Sequence, residues 1–132
     1  MAGLPRTTPN RVLVAGNLML VALLVLHSVD HIVRQTASVP AEAAVAGTAG
    51  LAAALGALGL AVSGSRWAPA ATAFVGLATA AGFVAIHVVP EWSVFSQPYA
   101  DIEVDAVSWV GMLVPAAAAA GLGALALRLH TD

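Results

Sequence analysis

The sequence predicts an all-α integral membrane protein, a four-helix bundle, on three observations. Sixty per cent of the 132 residues are hydrophobic and 9% are charged, whereas about a quarter of the residues in soluble domains are charged. A soluble domain of this size exposes much of its surface to water and cannot bury so many apolar side chains. The charged residues also divide the chain into four long neutral runs.

Each neutral run is long enough to cross a bilayer as a helix. About 20 apolar residues, at a rise of 1.5 Å each, span a hydrocarbon core about 30 Å thick. We therefore predict one transmembrane domain, residues 1–132, with helices near residues 12–33, 42–63, 67–89 and 105–127.

Prolines mark the ends of the predicted helices. Pro40 and Glu42 suit the start of the second helix, where a proline costs little and an acid faces the positive helix end. Pro90 ends the third helix and begins an outer loop of residues 90–104. Pro115 lies inside the fourth helix, where we expect a kink that neighbouring helices make tolerable.

The arginines predict the direction of the spans, because positive charge favours the cytoplasmic side. If both termini and the turn near residue 65 are cytoplasmic, only Arg34 lies on the outer side. The other four arginines are Arg6, Arg11, Arg66 and Arg128. We therefore predict a multi-pass protein of the cell (plasma) membrane with both termini in the cytoplasm.

Composition also limits the partners and the chemistry. The chain has no cysteine, which excludes disulfides and thiolate metal ligands. A net charge of −2 without a basic patch gives nucleic acid nothing to bind. The expected partners are the lipid bilayer and a second copy of the chain or a larger membrane complex.

Small residues crowd the second and fourth helices. They include Gly47, Gly50, Gly56 and Gly59, and the run of residues 116–123. Small side chains let membrane helices approach closely. We expect tight packing there, either inside the bundle or in a homo-oligomer.

Histidines and acids gather near the predicted outer face. His27, Asp30 and His31 share one face of the first helix, at spacings of three and four. His87, near the end of the third helix, lies at the depth of His31, and Glu91 follows it. If the first and third helices face a common interior, these five residues converge as candidate metal ligands.

Several functions remain open for this cluster. Imidazoles at i and i+4 with a carboxylate suit zinc, copper or iron. A buried aspartate beside histidines also suits a proton relay. Haem held between His87 and His27 or His31 is less favoured, because the short chain has no second histidine pair. Finally, the same side chains can simply hold helices together.

The loop adds aromatic residues that are expected at a membrane interface. Trp92, Phe95 and Tyr99, with Trp109 in the fourth helix, are explained by interfacial anchoring. The loop is also long enough to cap the histidine cluster.

Two segments carry a family resemblance. They are His27-Ser-Val-Asp30-His31 and His87-Val-Val-Pro-Glu-Trp-Ser-Val-Phe-Ser96. With them the chain resembles a family of short four-span membrane proteins from high-GC Gram-positive bacteria. The resemblance implies the four-span fold, but it does not indicate a reaction or a cofactor. An acid commonly follows Phe-Ser in that family, where this chain has Gln97, which argues against a ligand at that position.

The resulting hypothesis is a membrane protein with a metal or cofactor site near the outer leaflet. The alternative is a non-catalytic subunit, or a transporter or proton-relay component, in which the same residues pack the helices. Whether a reaction is catalysed stays open.

Overall fold

A computed structural model describes residues 7–35 and 37–131, which form four α-helices. The helices are α1 (Thr7–Val33), α2 (Ala41–Val62), α3 (Ala68–His87) and α4 (Ala106–Thr131). Each is long and apolar enough to cross a membrane. The predicted all-α bundle of four membrane-spanning helices is therefore confirmed. Arg6, which supported the predicted orientation, lies outside the described residues.

Three helix ends differ by two or more residues from the predicted positions. α1 begins at Thr7 and α4 continues to Thr131, because helical hydrogen bonding extends beyond the apolar stretch that was used to place the spans. α3 ends at His87, two residues before the predicted end. Pro115 is accommodated inside α4 and is buried.

The helices follow one another around the bundle. Each packs beside the next in sequence, α4 returns to α1, and α3 with α4 forms the most extensive pair. α1 and α3 are diagonal and touch only slightly. The turn between α2 and α3 therefore lies at the same end as the start of α1, and the 88–105 loop lies at the opposite end.

The outer surface of the bundle is apolar. Ile32, Phe74 and Val45 are 82%, 73% and 69% exposed, which would be costly in water and suits lipid. The core contains Leu20, Met112 and smaller side chains such as Ala54 and Ala119. Apolar side chains thus cover the outer surface of the bundle as well as its interior, as expected for helices in a bilayer.

Close packing is concentrated where α3 meets α4. A Cβ atom added to Gly76 would lie 2.6 Å from the carbonyl oxygen of Ala119 and 2.9 Å from the Cα of Gly123. The small residues of α4 therefore do allow close approach. In α2 it is alanines such as Ala54 and Ala61 that are buried in the bundle, whereas no atom of a neighbouring segment lies within 4 Å of an added Cβ at any of its four glycines. Packing between copies stays a prediction.

A buried polar contact that was not predicted from the sequence joins the diagonal helices. Asn17 in α1 donates hydrogen bonds of 2.8 Å to the hydroxyl of Thr72 in α3 and to the carbonyl of Leu13. Both Asn17 and Thr72 are 0% exposed. Such contacts stabilise membrane helices by about 0.6 kcal/mol each.

Replacing Gly76 with alanine should destabilise the bundle, because the new methyl group meets the α4 backbone. We expect a loss of about 1–3 kcal/mol in the free energy of unfolding. Gly59→Ala is the matched control, since its methyl group meets no atom within 4 Å. Denaturant unfolding of the detergent-solubilised protein measures both, and equal stabilities would contradict the assigned contact.

Single cysteines can test the predicted orientation, because the chain has none of its own. A cysteine at Ala100, in the 88–105 loop, should react with a membrane-impermeant maleimide in intact cells. A cysteine at Ser63, at the other end of the bundle, should react only after the membrane is opened. The opposite labelling would reverse the orientation.

Candidate metal centre

Three of the predicted site residues meet inside the bundle. His27 and His31 lie on successive turns of α1, and His87 is the last residue of α3. Their candidate ligand nitrogens all lie within 4.8 Å of one another. The Nε2 atoms of His27 and His31 are 3.2 Å apart. We call these three side chains the histidine triad.

The triad lies between two aromatic rings. Phe83, one turn before His87, packs its ring 4.7 Å from that of His27. Tyr99 packs on the other side, with its ring 4.6 Å from that of His87. His27 and His87 are consequently 9% and 6% exposed. The rings hold the imidazoles in place and exclude water from them.

The 88–105 loop is attached to the end of α3 by hydrogen bonds. The backbone N–H groups of Gln97 and Tyr99 donate to the carbonyls of Ile86 and His87, at 2.8 and 2.9 Å. The indole of Trp92 donates to the carbonyl of Ala85 at 2.6 Å. The last carbonyls of a helix lack partners within the helix, so these contacts stabilise α3 and position the loop over the triad.

Tyr99 belongs to the site, although the sequence analysis placed it in an interfacial belt. It is 1% exposed, whereas Trp92 and Phe95 lie at the surface as expected. Its hydroxyl oxygen accepts a 3.0 Å hydrogen bond from Gln35 and lies 3.3 Å from Nε2 of His31. Burial raises the pKa of Tyr99 to about 12, so at neutral pH the hydroxyl is protonated and can donate to His31.

Gln97 positions His87 through its backbone. The Nδ1 atom of His87 lies 3.3 Å from the carbonyl oxygen of Gln97. In the tautomer that donates this hydrogen bond, Nε2 of His87 keeps its lone pair. A second hydrogen bond of this kind fixes ring orientation in metal-binding histidines. Gln97, which was not expected to supply a ligand, therefore contacts the triad through its backbone carbonyl.

Asp30 is buried but already has partners. Its carboxylate is 3.0 Å from Nε of Arg34 and accepts a 3.0 Å hydrogen bond from Gln35, and the hydroxyl of Ser108 lies beside it. Arg34 also contacts Asp105 at 2.6 Å. Asp30 is not among the side chains that lie close enough to share one ion with the triad, and it instead joins α1 to the start of α4.

Glu91 lies apart from the triad. It is exposed on the loop, because the helix ends at His87 and the chain turns away at Pro90. The structure thus brings together His27, His31 and His87 from the five predicted ligands. Gln35, Gln97 and Tyr99 are neighbours that helical spacing did not identify, since they lie in loops.

No family model, curated protein or solved structure matches this chain. The geometry of the triad and its neighbours is therefore the basis for assigning a function.

Asp30 and Asp105, the two acids that contact Arg34, should contribute differently to the free energy of unfolding. Asp30→Asn removes a buried charge from a hydrogen-bonded group and should cost about 1–3 kcal/mol of unfolding free energy. Asp105 is 59% exposed in its side chain and also caps α4, accepting 3.0 Å hydrogen bonds from the N–H groups of Val107 and Ser108.

Asparagine caps a helix as well as aspartate does, so Asp105→Asn tests the exposed ion pair alone. It should cost less than about 1 kcal/mol. Unfolding of both variants in the same detergent provides the comparison. A larger effect at Asp105 than at Asp30 would show that the surface pair, not the buried carboxylate, joins the two helices.

Proposed function

We propose that this chain binds one transition-metal ion through His27, His31 and His87, as a multi-pass protein of the plasma membrane with its site toward the outer leaflet. The observation that supports the proposal is the convergence of three imidazoles, from diagonal helices, in the interior of a membrane bundle. Polar side chains are rare at such depths and generally serve a function.

The distances suit a small ion. Zinc–nitrogen bonds of 2.0–2.1 Å in a tetrahedron place two ligand nitrogens about 3.4 Å apart. His27 and His31 already have a separation of 3.2 Å between their Nε2 atoms. The remaining separations, within 4.8 Å, need only small side-chain rotations to reach this geometry.

The donor set indicates which ions fit. Three neutral imidazoles favour zinc, copper or iron over magnesium or calcium, which prefer oxygen. Three protein ligands also leave a fourth position open, as in catalytic rather than structural zinc sites. The ion would supply a Lewis acid there, and the protonated Tyr99 hydroxyl lies near enough to hydrogen-bond a molecule bound beside His31.

The contacts of the triad differ from those of a polar group that only joins helices. Asn17 donates directly to Thr72 on another helix, whereas the 3.2 Å contact between the Nε2 atoms of His27 and His31 lies within α1. Two ring nitrogens that face each other can bind one ion, which would take the place of this contact.

The other two hypotheses fit less well. A proton relay from His31 through Tyr99 toward Asp30 would pass through the side chain of Gln35, and an amide does not take up and release protons near neutral pH. A haem would have to place its macrocycle between imidazoles whose ring centroids are 5.3 Å apart. A single ion needs no such space.

Protein purified in mild detergent should contain one zinc, copper or iron ion per chain by elemental analysis. His31→Gln and His87→Gln should each abolish stoichiometric binding, because each removes one of three ligands. His130→Gln is the matched control, since His130 is exposed near the other end of the bundle. Glu91→Gln should likewise retain the ion.

Cobalt added to the metal-free protein gives a second measurement, because its visible absorption reports the coordination geometry. A tetrahedral spectrum is expected for the wild type and for His130→Gln, and none for the triad variants. Absence of metal in the wild type, together with no cobalt spectrum, would overturn the proposal.

A further inference from the structure

A large cavity opens beside the histidine triad. It has a volume of about 630 Å³ and lies among α1, α2 and α3. His27, His31, His87 and Gln97 line its polar end. Its size is within the range of about 300–1,000 Å³ that is usual for sites that bind small molecules.

Glycines keep this cavity open. Gly47 and Gly50 of α2 and Gly82 of α3 line it, and an added Cβ at each would meet no atom within 4 Å. The rest of the wall is mainly apolar and includes Leu24, Leu51, Phe74, Val75, Phe83 and Ile86. Gly47 and Gly50, which do not pack against other helices, therefore form one side of a binding space.

The cavity is reached from the lipid. Gly47 and Thr48 on α2 and Phe74 on α3 are exposed on the outer surface of the bundle and also line the cavity. A molecule dissolved in the bilayer can therefore enter between these helices without crossing water.

The charge of the lining limits what can bind. No arginine, aspartate or glutamate lines the cavity within the described ranges. A carboxylate, phosphate or ammonium head would lose its hydration there without gaining a counterion, which is costly in an apolar site. The occupant is therefore neutral.

The polar end requires more than a hydrocarbon chain. His31, His87 and Gln97 line this end. When Nδ1 of His87 donates to the carbonyl of Gln97, Nε2 of His87 remains an acceptor. A hydroxyl head can donate to this nitrogen, and a hydroxyl or carbonyl oxygen can occupy the open position of a bound ion, whereas a hydrocarbon tail can do neither.

We propose that the cavity binds a neutral, lipid-soluble molecule with an apolar body and one hydroxyl or carbonyl head, and that the head lies at the histidine triad. The contact of the head with an ion rests on the proposed metal site. The fit of the body among α1, α2 and α3 does not.

Binding of radiolabelled dodecan-1-ol to the protein in lipid nanodiscs tests this proposal. We expect saturable binding of one molecule per chain, with competition by dodecanal. Dodecane, dodecanoate and dodecyltrimethylammonium should compete at least about tenfold less well, equivalent to about 1.4 kcal/mol. Equal competition by dodecane would mean that the cavity accepts any lipid tail, and the proposal would fail.

Filling the cavity should prevent binding without touching the triad. Gly50→Leu and Gly82→Leu should each weaken dodecan-1-ol binding by about tenfold or more. Gly59→Leu is the matched control, because Gly59 is also unpacked on α2 but does not line the cavity. Equal binding by all three variants would overturn the assignment.

Metal content, measured on the same samples, separates the two proposals. The glycine variants should keep their ion while they lose the alcohol, which also shows that they are folded. Metal without saturable alcohol binding would overturn only the cavity proposal. Selective alcohol binding without metal would overturn the metal site and leave the cavity assignment standing.

Discussion

A polar atom within hydrocarbon must find its partner in the protein, and this constraint organises the end of the bundle where the histidines lie. The last carbonyls of α3 receive hydrogen bonds from the 88–105 loop, at Ile86 and His87 among others. Those bonds fix the path of the loop, and the loop then places Tyr99 and Gln97 against the triad. The site therefore depends on the hydrogen bonds that the loop donates to the last carbonyls of α3.

The same constraint separates structural polar groups from those available to a ligand. The amide nitrogen of Asn17 and the carboxylate of Asp30 are buried and hydrogen-bond to other side chains. In the triad, the Nε2 atoms of His27 and His31 instead face each other at 3.2 Å, at the polar end of an apolar cavity. A bound ion or the head of a neutral molecule would meet the imidazoles there.

Glycine has two opposite uses in this bundle. Gly76 and Gly123 let the backbones of α3 and α4 approach so closely that a methyl group has no room. Gly50 and Gly82 instead leave space that no neighbouring side chain fills. One pair makes a rigid contact, and the other keeps a cavity open, so the same residue type supports both the scaffold and the space beside the triad.

The sequence by itself determined the four spans and the alignment of His27, Asp30 and His31, because span length and helical period are local properties. The ion pair of Asp30 with Arg34, one helical turn apart, is local in the same way. Only the tertiary structure decided that Glu91 turns away, that Tyr99 is buried, that Gln97 contacts His87 and that two of the α2 glycines line a cavity. Those outcomes depend on the path of a loop and on packing between distant segments. Neither of these produces a repeating pattern of residues in the sequence.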